Sequence, residues 1–408
     1  MSEIIDFTDL DQFAARGLPH DLFAKLRAQA PVYWQQVSDD DGFWLVTRHE
    51  DVVNIARDYK TFSSSIDLGG VMGLTRPERQ RRDEFASTTS FLLLDPPEHG
   101  KLRGVVTKAI LPSAVASVGD CVRRVSIDLI ENALNKDVCD FVEDVAVYVP
   151  IEALSELGNV PIPDRDQMIR WVNALASPDD PEYAKDLSEL VKARRELRSY
   201  CEDLYQQRRA APGSDILSMM VHGEIDGRPV SPQEAGGFFE LLLTAGSETT
   251  RTVMSHSVLA LARHDDQYQI MRNEPEILKK TAVEELLRWA CPVIHFCRRV
   301  TQDKEIGGKL IRKGDTVAIC FASANRDESV FENPFEFDVR RSPNRHLSFG
   351  GGGPHSCLGA NVARLELRIF FEEFCKRVKR VELLGEPSYL RSNLINGIKH
   401  LPVRLHAA

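Results

Sequence analysis

His346-Leu-Ser-Phe-Gly-Gly-Gly-Gly-Pro-His-Ser-Cys357-Leu-Gly359 sets four consecutive glycines and Pro354 ahead of a single cysteine. Such a run suits neither helix nor strand. Glycine reaches backbone conformations closed to other residues and lets the main chain approach a flat ligand closely. Apolar residues then recur at helical spacing over 358–378, so the sulfur of Cys357 stands at a helix N-terminus. Free N–H groups and the positive end of the helix dipole favour an anionic thiolate there. A thiolate can ligate ferric haem, pushing electron density to the iron and favouring O–O cleavage. The bland alternative is a glycine-rich turn with an incidental buried cysteine. Other segments decide between the two.

Helical periodicity recurs over 18–29, 49–58, 96–110, 112–134, 164–176, 181–210, 232–264 and 275–290. Strand-like pieces are fewer: 43–47, 317–321 and 401–405. The expected class is mainly α with minor β, in one domain over 1–408 with no linker or repeat. One helix is predicted to dominate. Ser231-Pro232-Gln233-Glu234 combines an N-cap, a first-turn proline and a capping-box glutamate, and no proline follows until Pro275. At about 1.5 Å per residue a helix to His264 would be roughly 50 Å long, a central spine.

Within that helix Ala245-Gly246-Ser247-Glu248-Thr249-Thr250 breaks an apolar run. Gly246 costs about 1 kcal/mol relative to alanine, and a mid-helix threonine can bond back to a carbonyl, so a local opening is expected. It could admit dioxygen, with the Thr249 hydroxyl bonding to it and Glu248 passing protons inward from water. Alternatively Gly246 allows close helix packing beside an ordinary polar turn. Ser247 and Thr250 read as packing or capping groups.

Composition narrows the function classes. The 408 residues carry 51 Lys+Arg against 61 Asp+Glu, a net charge of -10, which argues against nucleic-acid binding by phosphate neutralisation. Arg76, Arg79, Arg81 and Arg82 are interrupted by Glu78, Asp83 and Glu84, as in a solvated mixed-charge loop. Eight scattered cysteines without CxxC pairs suit a reducing compartment. Neither a signal-like start nor an uninterrupted apolar run of about 18 residues is seen, so a cytoplasmic protein without a membrane anchor is expected.

These segments together resemble the cytochrome P450 family. The cysteine loop is similar to the family's Phe-Gly-x-Gly-x-His-x-Cys-x-Gly, although Phe349 precedes Cys357 by eight residues where seven is commoner. The longer loop resembles that of some bacterial members that oxidise lipids and sterols. Residues 245–250 match the family's Ala-Gly-x-(Asp/Glu)-Thr-Thr at every position. Glu285-Leu-Leu-Arg288, with Arg341 further on, resembles the Glu-x-x-Arg motif and its partner arginine, read as a buried structural network. His99 and Arg103, four apart, resemble the family's His-x-x-x-Arg pair, and Arg298 and His355 its other haem-propionate contacts.

The resemblance implies the cytochrome P450 fold and a haem-thiolate monooxygenase that inserts one oxygen atom from O2 into a C–H bond. The implied cofactor is haem b (iron protoporphyrin IX), with Cys357 on the iron, His99, Arg103, Arg298 and His355 on the propionates, and Phe349 and Gly246 beside the ring. Thr249 and Glu248 would be catalytic. By analogy a medium-sized hydrophobic substrate, of terpenoid, steroid or branched-lipid type, would touch the 65–93 loop, Leu241, Ala245, Val293, Ile294, His295, Leu394 and Ile395, with His295 a candidate for one orienting hydrogen bond. Electrons would come from NAD(P)H through a ferredoxin reductase and an iron–sulfur ferredoxin docked near Arg364. A monomer is expected. The rival readings are a peroxide-driven haem-thiolate enzyme and a non-catalytic haem-based sensor.

Overall fold

In a computed structural model of the chain, residues 6–76, 78, 90–107, 112–161 and 164–408 are described. The molecule is mainly helical with small sheets, built around the helix Pro232–Arg263 of 32 residues. Its start is fixed as the sequence predicts. The Ser231 hydroxyl accepts from the Glu234 N–H at 3.2 Å, and the Glu234 carboxylate accepts from the Ser231 N–H at 2.9 Å. The helices Tyr148–Gly158, Arg165–Ala176, Leu187–Ala210 and Val283–Ala290 pack most extensively against it.

The expected opening at Gly246 does not interrupt this helix. Thr249 donates its hydroxyl to the Ala245 carbonyl at 2.7 Å, and the helical run continues. A Cβ on Gly246 would lie 3.2 Å from Leu154 Cδ2, so the glycine lets the helix Tyr148–Gly158 approach. Close packing is the role the structure shows.

Most predicted helices are present with altered ends. The 181–210 helix starts at Leu187 because Asp186 caps it, accepting from the Ser188 and Glu189 N–H groups. The 275–290 segment becomes a π-turn, Leu278–Ala282, followed by Val283–Ala290. The 96–110 helix is Glu98–Thr107, its last residues lying outside those described. The helix after Cys357 begins at Ala360. Helices Leu10–Arg16, Tyr148–Gly158, Ile216–Val221 and Asp265–Asn273 were not anticipated. Tyr148–Gly158 is buried on nearly all sides and carries Pro150 near its start, so it shows no amphipathic stripe.

The main sheet runs Val32–Ser38, Asp41–Val46, Thr316–Cys320, His295–Val300, Phe62–Ser63. Thr316–Cys320 is parallel to Asp41–Val46 and antiparallel to His295–Val300. A second sheet joins Val378–Leu383, Pro402–Ala407 and Cys139–Asp140. Two apolar cores result. One fills the helical bundle; the other lies under the main sheet and the N-terminal helices. Among the described residues no helix is long and apolar enough to cross a membrane.

Candidate active site

A cavity with about 1620 Å³ of empty space, part of it open to solvent, lies between the two cores. Cys357 is in its wall. The glycines before it are seated on the helix His49–Arg57: Gly353 has φ +79°, and a Cβ there would come within 2.6 Å of the Ala56 carbonyl oxygen. A side chain at Gly351 would meet Ala56 Cβ at 2.9 Å. The loop closes through the Cys357 N–H, which donates to the Phe349 carbonyl at 3.0 Å.

All eight cysteines are free, and Cys357 alone is exposed, its surface facing the cavity. Enclosure of the sulfur raises its thiol pKa, while a backbone hydrogen bond from Gly359 and the charges of Arg103 and Arg364 act in the opposite sense. Arg364 donates to Glu284 at 2.7 and 2.9 Å and lies over the Phe349 ring, 4.5 Å from its centroid. Burial alone would raise the Glu284 pKa. Hydrogen bonds from His346 and Arg364 outweigh it and hold the acid at about 2. Arg364 is thus paired with Glu284 while its side chain stays 38% exposed.

The opposite chemistry gathers around Arg298. It is 4% exposed and donates to the Cys297 carbonyl at 2.7 Å; among the described residues no carboxylate pairs with it. Burial pulls its pKa down to about 10. Arg103 also lines the cavity, over the Phe91 ring and without an acid partner among the described residues. Beside them the His99 and His355 rings approach to 4.3 Å, each with a buried Nε2 that has no partner among the described residues. Burial and the neighbouring arginines lower both, His355 to about 3 and His99 to about 4, so both imidazoles are neutral at pH 7. Two arginines and two unsatisfied imidazoles in a buried wall call for an anionic partner.

The sequence of this chain matches the model of the family described as "Cytochrome P450" over residues 106–379. This chain is a member of the cytochrome P450 family. It is 39% identical to a linalool 8-monooxygenase of Pseudomonas putida over 95% of this chain and 96% of that enzyme. To a steroid C26-monooxygenase of Rhodococcus jostii it is 37% identical, over 99% of this chain and 85% of that protein. Among solved structures, a Mycobacterium marinum cytochrome P450 in complex with pseudoionone superposes with a TM-score of 0.90 at 35% identity, covering 98% of both chains. The protein is a cytochrome P450 monooxygenase with the P450 fold.

P450s bind haem, and the residues present fit it: one cysteine sulfur in a largely apolar cavity, with unpartnered buried cations and imidazoles suited to two carboxylates. Cys357, Arg103, Arg298, His355, Phe349 and Gly246 line the cavity of this P450, and His99 stands directly behind His355. Thr249, Leu241, Ala245 and Val293 line it as well.

Five expected residues are placed elsewhere. Ile294, His295, Leu394 and Ile395 are not in the wall. His295 is fully buried, with Nδ1 3.0 Å from the Asn393 carbonyl and its ring edge-on to Phe7. The Ile294 N–H is held by the Leu394 carbonyl at 2.8 Å. Strand pairing and the N-terminal segment hold these four residues outside the wall, while Val293 and Phe296 of the same stretch line it. Glu248 is 2% exposed, paired with Arg251 and outside the cavity wall. Residues 77 and 79–89 of the 65–93 loop, Arg79, Arg81 and Arg82 among them, lie outside the described residues, while Phe91 and Leu92 of the same loop line the cavity. Arg76 pairs with Asp40 at 2.9 Å, as a solvated loop residue would.

The sequence reading missed Leu154, Phe296 and, most consequentially, Glu366 with Thr250. An acid alone in the apolar run Leu365 to Phe371, interrupted otherwise only by Arg368, was the available signal for Glu366.

Proposed function

We propose that this P450 inserts one oxygen atom from O2 into a C–H bond of a medium-sized apolar molecule of terpenoid, steroid or branched-lipid type. The observation that carries this is the cavity: one cysteine sulfur, a cluster of buried cations, and otherwise mainly apolar side chains such as Phe91, Leu154, Leu241 and Phe296. The named activities of the linalool and steroid enzymes point to the same substrate class.

In this reading the cofactor is haem b. Cys357 would hold its iron through sulfur, and Arg103, Arg298, His99 and His355 would bond its propionates. When bound, haem supplies O2 binding and two-electron activation of it. The protein's residues do the rest. Apolar side chains orient the substrate by shape and exclude bulk water, the Gly359 N–H and the charges of Arg103 and Arg364 oppose the rise in thiol pKa that burial imposes on Cys357, and Thr249 would present its hydroxyl oxygen at the cavity wall. The overall balance is RH + O2 + 2 H⁺ + 2 e⁻ giving ROH and water. The electrons come from NAD(P)H through a separate ferredoxin reductase and iron–sulfur ferredoxin, and the protein acts in the cytoplasm as a monomer, one P450 domain over 1–408.

The test is spectroscopic and then chemical. Reduced protein under carbon monoxide is expected to show the red-shifted Soret band of thiolate ligation, lost in Cys357→Ser. Incubation with linalool, a steroid and a methyl-branched fatty acid, with ferredoxin, reductase and NADH, should give a product one oxygen heavier for at least one of them. A folded, haem-loaded protein without that band overturns the assignment.

A further inference from the structure

The segment 177–186 joins the helices Arg165–Ala176 and Leu187–Ala210, and side chains from the C-terminal part of the chain fasten it. The Arg391 N–H donates to Asp180 Oδ2 at 2.9 Å, and the Arg391 guanidinium to the Asp179 carbonyl at 3.0 Å. Lys399 bridges Asp180 at 3.3 Å and Glu182 at 2.8 Å. His400, at the end of the strand Ile398–His400, adds another tie. Its Nε2 lies 2.7 Å from Glu182 Oε1 and its Nδ1 2.6 Å from Asp140 Oδ2.

This geometry fixes the charge of the ring. An ionised carboxylate only accepts, and a neutral imidazole carries one N–H, so both contacts are hydrogen bonds only when His400 is an imidazolium. The two acids differ in how firmly they are held. Asp140 belongs to the C-terminal sheet, and its Oδ1 accepts from the Val142 and Leu401 N–H groups at 3.1 Å each. Glu182 sits on the connecting segment with its side chain 39% exposed. When the ring loses a proton, the remaining N–H stays with the fixed Asp140, and Glu182 faces a lone pair.

We propose that His400 is a pH-sensitive fastener: as an imidazolium it holds the segment 177–186 to the C-terminal sheet, and on deprotonation it releases the Glu182 end. The charged groups packed around it are Asp140, Glu143 beside Asp140, Asp180 and Glu182 of the segment, and Lys399 of its own strand, while Arg251 on the long helix acts on Glu143. Burial lowers the His400 pKa, but the bonds to Asp140 and Glu182 outweigh it and raise the group above its ordinary 6.5. The tie is therefore complete below pH 6.5 and lost as pH rises through the raised value. Burial also pulls Lys399 down, and Glu182 and Asp180 more than offset it, so the Asp180 end stays fastened throughout. Release has a consequence further in. Tyr183 follows Glu182, and its ring covers the Arg251 guanidinium at 5.6 Å, which is paired with Glu248. Loosening Glu182 uncovers that buried pair, next in the long helix to the cavity-lining Thr249 and Thr250.

Hydrogen exchange of the haem-loaded protein, read on the peptide 177–186 and corrected for the intrinsic rate, tests this between about pH 6 and about pH 9. Wild type should lose protection several-fold as pH rises. His400→Arg, a permanent cation with several donors, should stay protected at both ends of the range. His400→Gln should be poorly protected at both. Should that variant fold poorly, Glu182→Gln supplies the reading, because its amide can donate to or accept from Nε2 and protection should no longer follow pH. Protection that is flat with pH in wild type, or that falls with pH as steeply in Glu182→Gln or His400→Gln, overturns the proposal. The fastener does not rest on the monooxygenase reading, so loss of the red-shifted Soret band would overturn that reading and leave this one standing.

Discussion

Arg298 shows how a single side chain can announce a missing partner. A guanidinium buried to 4% exposure and bonded to one carbonyl is unfavourable unless an anion joins it. A charge-assisted hydrogen bond contributes about 1.5–3 kcal/mol, so Arg298→Gln should release haem roughly tenfold to a hundredfold faster, measured as transfer to excess apomyoglobin. Unchanged transfer would remove Arg298 from the cofactor's anchors. This residue was legible because it sits in a recognisable order with His99, Arg103 and His355. Glu366 was not. Nothing in a lone acid on a helix says whether it faces solvent or a cavity until the neighbouring helix is in place. His295 erred the other way: its position beside Val293 suggested the cavity, but strand alternation turned it into the core against Phe7.

Between elements, the helix Val283–Ala290 is tied to the loop segments after Thr316–Cys320 through Glu285 and Arg288, both side chains fully buried and 2.7 Å apart. Arg288 also donates to the carbonyls of Asn325, Pro334 and Glu336, and Arg341 reaches Glu285 at 3.3 Å. Removing one member strands charge in the interior. Glu285→Ala should cost about 3–5 kcal/mol, seen as a lower urea midpoint, and many chains should fail to incorporate haem. A loss under 1 kcal/mol would contradict the network. Long amphipathic helices with clear caps, such as Pro232–Arg263, were readable from spacing alone. Tyr148–Gly158 was hidden because burial on nearly every side erases the stripe that spacing detects. Helix ends moved where a side chain outcompeted periodicity, as Asp186 does at Leu187.

Across the whole molecule, the cavity takes wall residues from both cores: Leu157 and Phe238 from the helical one, Ala56 and Phe321 from the sheet side. A ligand bound there belongs to both halves. Tight binding to the folded state alone contributes about 4 kcal/mol at a thousandfold excess over Kd, so stripping haem should lower the unfolding temperature by roughly 5 °C or more in calorimetry. Equal transitions for stripped and reconstituted protein would mean that the cavity does not bridge the cores. The distribution of sulfur adds a vulnerability. Seven cysteines are buried, and burial pushes Cys139, Cys291, Cys320 and Cys375 up to about 12, where they are inert. Cys357 is the one thiol within reach of small oxidants, so a newly made chain still waiting for its prosthetic group is most easily damaged at the very atom it needs. Conversion to a sulfinic acid there would be irreversible and would leave a well-folded but permanently colourless protein.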